Sequence, residues 1–419
     1  MSRSSVAAPT LVARSHRLVL APDPIAVAGT DGLLFVGPDG SAVAGRGMVA
    51  RVAADSAVDI LSAADCDGDG GGPDTDAVSG PIAFGALPFD LGAGGELVIP
   101  GVVVGRAGNG TGWVTTVGTA NSPPADPRRV DLAEIVASTQ ASARPGPGRF
   151  TVRSVRPPAE WCDAVARATE QIRAGRLDKV VLAREVTVEA DAPFDLAAIV
   201  RRLALGFPAC YVFSVEGFVG ASPELLVARR GHQVRSQPMA GTAPRRGDPA
   251  ADADAIAGLV ASASYRHEHQ VTIDAVYDAL VGYCSFLDYE AEPSVVALPN
   301  VTHLATTVSG RLSSPMPSVL DLVGALHPTP AVCGRPRDAA RAAIAELEGF
   351  DRGPYAGAVG WVDGQGDGTW AVAIRSAVID KSTARVFGGN GIVADSDPHT
   401  ELIETRAKLQ ALLGVLVRP

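Results

Sequence analysis

The sequence predicts an α/β protein of the α+β kind, with antiparallel sheets and helices packed outside them. Short apolar runs come in close pairs, as at Tyr211–Val215, Phe218–Ala221 and Leu225–Ala228, which is hairpin spacing rather than strict βαβ alternation. Of the 419 residues, 47% are hydrophobic, enough for a large core. No internal repeat appears at the periods that mark solenoids.

In chain order, residues 1 to 30 are rich in Ala, Pro and Ser and are expected to be loose. "CDGDGGGPDTD", from Cys66, opens a Gly/Asp-rich loop over residues 66–80. Its aspartates lack the spacing and closing glutamate of a calcium-binding EF-hand loop. "FGALPFD", Phe84–Asp90, reads as a strand leading into a turn. Pro-rich connectors between residues 121 and 150 mark a boundary between an N-terminal segment, 1–150, and a larger region, 151–419.

From Ala159 a helix runs to Gly175, which stops it. In "GRLDKVVLAREV" the run Val180, Val181, Leu182 predicts a buried strand with Lys179 at its head. Further helices are predicted near 195–205, 252–261, 266–283, 317–326 and 336–347, with a terminal helix over 398–416. Strands are predicted over 356–362 and 369–380, with a short one near Val386. "PMAGTAPRR", from Pro238, and "FGGNGIV", from Phe387, read as small-residue turns able to bring backbone N–H groups close to a ligand.

The net charge is −10 and no dense Lys/Arg stretch appears, which argues against nucleic acid as a partner. An acidic chain that handles an anion needs local help from a metal or a few placed cations. The five cysteines are scattered and without CxxC spacing, as expected of reduced thiols in a cytoplasmic protein. The N-terminus has no signal-peptide pattern, and no stretch of 18 apolar residues could span a membrane.

Several residues could carry chemistry, each against a plainer alternative. Lys179 is either a solvated strand end or a reagent. Glu224, in "GASPELLVARR", is either a turn residue or a carboxylic acid kept protonated at a strand end. Glu268 lies on one helix; Glu401, Glu404 and Lys408 share one face of another. Each helix could be a salt-bridged surface, or the two could converge on an oxygen-lined magnesium site. His303 and His327 read as hydrogen-bonded core histidines.

Taken together, "LDKVVLARE", "GASPELLV", "PMAGTAPRR", "RHEHQ", "VTHLAT", "LHPTPAVCG", "IAELEGFDRGPYAGAVGW", "AIRSAV", "GGNGIVADSDP" and "ELIETRAK" resemble the chorismate-utilising enzymes, and among them the isochorismate synthases. The resemblance spans Ala159 to Val417, with a weaker echo at "FGALPFD". It implies two mainly antiparallel sheets packed as a sandwich, with the site at one end. It also implies magnesium-dependent conversion of chorismate to isochorismate: water adds at ring C2, the C4 hydroxyl leaves and the double bonds shift. The product feeds menaquinone or siderophore and salicylate biosynthesis.

On this resemblance Lys179 matches the base that activates water, so it must be neutral, through burial or nearby positive charge. Glu224 matches the acid for the departing hydroxyl. Glu268 and Glu404 match the magnesium ligands, with Glu401 in an outer or shared role. Arg375 and Lys408 match cations near the substrate carboxylates. Gly241, Thr242 and Gly391 match backbone or hydroxyl donors, and His303, Ala331 and Tyr355 match the pocket wall and its polar contacts. The resemblance implies a monomer with no glutaminase subunit.

Three positions separate this branch from its sisters. The aminating relatives lack a lysine at the place of Lys179, and some carry one at the place of Ala240. Relatives that make anthranilate or salicylate tend to carry threonine at the place of Ala331. The sequence therefore points to water as the nucleophile and to a reaction that stops at isochorismate; salicylate synthesis, amination and binding without turnover are the competing readings. Two departures stand out. Tyr265 replaces a polar or acidic residue that supports the metal waters, and Asn390 stands where alanine is more usual.

Overall fold

The computed structural model describes residues 9–68, 79–141, 146–245, 247–299 and 301–417. Most of the Gly/Asp-rich loop, residues 69–78, and Arg246 of "PMAGTAPRR" lie outside the described residues. Thirteen strands form one sheet, nine a second and three a small third. Among the described residues the pairing is antiparallel, apart from the parallel pair of Leu11–Leu18 with Asp65–Gly68.

Hydrophobic burial sets the layers. Phe35, Val103, Phe213 and Phe218 from the larger sheet meet Phe84, Val98, Val359 and Trp361 from the smaller one, making the core of a sandwich. The outer face of the larger sheet buries Val188, Val212 and Val386 under Ile199 and Leu203 of helix Leu196–Gly206 and Leu409 and Leu412 of helix Pro398–Leu416. The smaller sheet packs Val227 and Trp370 against Leu322 and Val323 of helix Val319–Leu326. No helix among the described residues is long and apolar enough to cross a membrane.

Strands from both sides of residue 150 share these sheets. Leu33–Val36 pairs with Tyr211–Val215, and Ile82–Leu87 pairs with Ala358–Asp363. The front of the chain is ordered from Leu11, contrary to the looseness expected there: Leu11–Leu18 is a strand paired along its length with Gly112–Thr119. Side chains on one face of that strand, Leu11 and Ala13, are buried, so composition alone misjudged it.

The terminal helix begins and ends where the sequence places it, Pro398–Leu416; Asp397 caps it by accepting from Thr400 N. Two expected turns are instead strands. Met239–Pro244 pairs with Val301–Ala305, with a register shift at Gly241, whose φ is +77°. "FGGNGIV" falls largely within Thr383–Ile392, a ten-residue strand paired along its length with the Lys179 strand, Lys179–Ala190. Its glycines are there for close approach rather than turning. A Cβ on Gly388 would come 3.1 Å from Leu409 Cγ, and one on Gly391 only 2.6 Å from Lys179 Cε.

The run expected over 369–380 breaks into Gly368–Val372 and Ser376–Asp380 around Arg375, whose φ is +52°. The break lets the chain leave the nine-stranded sheet and enter the thirteen-stranded one. The neighbouring chain makes the same crossing, from Phe218–Ser222 to Leu225–Arg230, and Glu224 sits in that gap. The two crossings are tied together by Val372 N donating to Glu224 O at 3.0 Å and Ala221 N to Arg375 O at 3.1 Å.

Below this seam lies a buried ion pair. Arg352 and Glu348 are each 3% exposed, and Arg352 Nε and Nη2 donate to the two carboxylate oxygens of Glu348. Arg352 also donates to Val332 O at 2.9 Å and Val181 O at 2.8 Å, and Glu348 accepts from Ala183 N at 2.6 Å. Breaking a buried pair by removing one partner typically costs about 3–5 kcal/mol. Glu348→Gln should lose stability on that scale in urea denaturation; a loss below ~1 kcal/mol would show that the pair does not anchor the fold.

Candidate active site

One cavity of about 1040 Å³ opens at the end of the sandwich where the two chains cross between sheets. All thirteen residues to which the resemblance gives a site role line it: Lys179, Glu224, Gly241, Thr242, Glu268, His303, Ala331, Tyr355, Arg375, Gly391, Glu401, Glu404 and Lys408. Tyr265, His267, Arg352 and Phe387 line it as well.

Lys179 enters from the first residue of its strand. Its stem lies against Gly391 of the neighbouring strand, and its Nζ meets Glu268 Oε1 at 2.5 Å. The neighbour of Nζ is thus a carboxylate rather than a positive charge, and the side chain is 13% exposed. Glu224 is 4% exposed. Burial pushes its carboxyl up to about 8, against the opposing effects of a hydrogen bond from the Met239 backbone and of nearby Lys179. Glu224 is a carboxylic acid at neutral pH.

Arg375 comes from the strand break. Burial lowers its pKa, and its Nη1 is shut off from solvent with no hydrogen-bond partner among the described residues. Nη2 approaches His303 Nε2 at 3.4 Å. His303 is pushed down to about 3 by burial and then by Arg375 and Lys408, so it is neutral. With Nε2 accepting from Arg375, Nδ1 carries the proton and faces Thr242 Oγ1 at 3.1 Å. Tyr355 stacks on Phe387, with centroids 5.0 Å apart, and burial raises its phenol to about 12. His327 lies outside the cavity lining; its Nε2 meets Phe89 O at 2.8 Å, tying the "FGALPFD" segment beneath the site.

Two helices supply the acidic corner. Helix Ala263–Val281 carries Glu268, and the terminal helix carries Glu401 and Glu404. Tyr265 stands between them: its phenol is raised by burial and then by Glu404, Glu268 and Glu401. The Glu268 and Glu404 side chains are 35% and 42% exposed, and each gives one oxygen to a lysine. Both oxygens of Glu401 are engaged, by Ser396 Oγ at 2.7 Å and Asn390 Nδ2 at 2.8 Å. Among the described residues no three acidic, His or Cys side chains gather into a metal cage. Two open carboxylates on facing helices, beside cations for a substrate anion, do fit magnesium, which takes one or two carboxylates and fills its shell with water and substrate.

The sequence missed Arg352, which reaches the cavity floor from the buried pair. Its guanidinium lies 4.3 Å from the Phe89 ring centroid and 6.0 Å from that of Tyr355. An arginine next to a glycine in "EGFDRGPY" gives no sign of this in one dimension.

A family model described as "Chorismate binding enzyme" matches residues 73–417. The chain belongs to the chorismate binding enzyme family. It is 43% identical over 351 residues to the protein named MenF of Mycobacterium tuberculosis H37Rv, covering 80% of this chain and 86% of that one. It is 36% identical over 349 residues to the isochorismate synthase DhbC of Bacillus subtilis, covering 81% of each. The solved structure of MenF, the menaquinone-specific isochorismate synthase of Escherichia coli, superposes with a TM-score of 0.81 at 26% identity, over 99% of this chain and 96% of that one.

The Glu224 carboxyl stays protonated to about pH 8 when folded, but ionises near 4.5 when the chain unfolds. Between these values the folded state binds more protons, so this residue makes stability fall as pH rises. Glu224→Gln should therefore gain Tm relative to the parent progressively from pH 5 to pH 8. Parallel Tm curves for the two proteins would place the carboxyl in a wetter setting.

Proposed function

We propose that the protein is an isochorismate synthase that works on chorismate in this cavity with magnesium. The observation that carries the reading is the joint presence, in one cavity, of a lysine amine and a carboxylic acid kept protonated at neutral pH. A displacement that adds water at one ring carbon and expels hydroxide from another needs this pair: a base for the incoming water and an acid for the leaving group.

In the proposed reaction Lys179 Nζ takes a proton from water as its oxygen bonds to C2. The ring double bonds shift, and the C4–O bond breaks. Glu224 gives its proton to the departing oxygen, which leaves as water, so one water enters and one leaves. For Lys179 to accept a proton its Nζ must be neutral, and the ion pair with Glu268 has to open first. Arg375, a cation of the cavity lining, faces a substrate carboxylate. His303, neutral, braces Arg375 from behind. Gly241 and Thr242 offer donors to a substrate oxygen, and Tyr355 and Phe387 form an apolar wall. Glu268 and Glu404 would hold magnesium, with Glu401 outside them; the metal would offset the charge of the ring carboxylate against these acids.

Ala240 and Ala331 both line the cavity. The first puts a methyl where an amine would serve the aminating chemistry; the second leaves the wall without a hydroxyl. Both support a reaction with water that ends at isochorismate.

Purified protein incubated with chorismate should form isochorismate, followed by liquid chromatography with mass detection, only when magnesium is present and without added ammonia. Lys179→Ala should lower turnover by at least about 10²-fold, the lower end of what a positioned acid or base contributes. Salicylate with pyruvate as the main products, or an unchanged rate in the Lys179 variant, would contradict the assignment.

A further inference from the structure

A lysine ammonium has three N–H donors. Those of Lys408 are all spent on the protein: Glu404 Oε1 at 2.8 Å, Asn390 Oδ1 at 2.7 Å and Gly389 O at 3.2 Å. Asn390 is 1% exposed and stands behind the cavity wall, outside its lining. Along strand Thr383–Ile392 side chains alternate between faces. Gly389 and Gly391 abut Tyr355 and Lys179 of the cavity, while Gly388 abuts the terminal helix at Leu409. Asn390 shares that rear face. Its amide Nδ2 donates to Glu401 O at 3.1 Å and Glu401 Oε2 at 2.8 Å. One buried side chain thus joins the strand, Lys408 and Glu401.

We propose that Asn390 is a positioning residue that takes the third N–H of Lys408, so that in this protein Lys408 organises Glu404 and the strand backbone, and Arg375 is left to meet the substrate carboxylate. Lys408 then acts on the substrate only through Glu404. Alanine, the residue the resemblance makes usual at this place, reaches neither partner. It would leave one ammonium N–H unspent and free to turn to the substrate. The proposal rests on the reading of the cavity as a chorismate site.

The test is a double-mutant cycle read as binding. Glu224→Gln serves as the parent, because it replaces a neutral acid with a neutral amide and stops turnover. Chorismate is titrated calorimetrically into the magnesium-loaded parent, and into the parent carrying Lys408→Met, Asn390→Ala or both. With Asn390 in place, Lys408→Met should change the chorismate Kd by less than about threefold. With alanine at 390, the same change should weaken binding by roughly tenfold, the worth of a released charge-assisted hydrogen bond. In otherwise wild-type protein, Lys408→Met should appear in kcat with KM nearly unchanged. A tenfold loss of binding from Lys408→Met in both backgrounds would overturn the proposal, since Lys408 would then touch chorismate whether Asn390 is there or not. A parent that binds no chorismate would overturn the reading of the cavity itself, and the proposal with it.

Discussion

The buried pair of Arg352 and Glu348 sets the frame on which the cavity depends. Two charges in the interior are tolerated only when every donor and acceptor is met. Here the surplus hydrogen bonds go to backbone atoms of Val181, Ala183 and Val332. Those atoms fix the Lys179 strand just beyond Lys179 and the turn that presents Ala331. Arg352 then lies against Phe89 and Tyr355, so the same group supports the aromatic wall. A rigid scaffold of this kind holds a lysine and a carboxylic acid in fixed relation without either being bonded to the other.

The second constraint is topological. Two adjacent segments pass from one sheet to the other at the same height, and each crossing leaves two or three residues outside the strands, one of them ionisable. One is Glu224 and the other Arg375. Both line the cavity at the seam between the sheets. Burial neutralises the acid and leaves the guanidinium with an unpartnered donor. The chain as a whole carries −10. Within the cavity, however, Glu224 and His303 are neutral, and Arg375, Lys179 and Lys408 stand among the carboxylates. On the proposed reading a substrate anion meets Arg375 inside an acidic protein, which is the help that the net charge called for.

Much of this was legible in one dimension. Helix Pro398–Leu416 and the head of the Lys179 strand follow from capping and β-branched runs, which are local signals. The roles proposed for Glu224, Glu268 and Glu404 came from motifs in register; taken singly, each looked like an ordinary surface carboxylate. The glycine-rich segments misled, because glycine serves turns and close packing alike, and only the neighbours decide which. At Gly391 the neighbour is Lys179, 212 residues away in sequence. Arg352 and the sheet crossings were invisible for the same reason: their meaning lies in contacts between distant segments. Tyr265 and Asn390 were visible as departures. The structure gives Asn390 a definite set of partners and places Tyr265 among three glutamates.

In the proposed reaction solvent water, activated at Lys179, becomes the new hydroxyl while Glu224 releases the old one. The most direct measurement is turnover of unlabelled chorismate in ¹⁸O-enriched water, with mass analysis of the product. The account predicts a single ¹⁸O atom in isochorismate, in the C2 hydroxyl. Isochorismate that forms without the label would mean that the oxygen moves within the substrate, and that Lys179 has no water to activate.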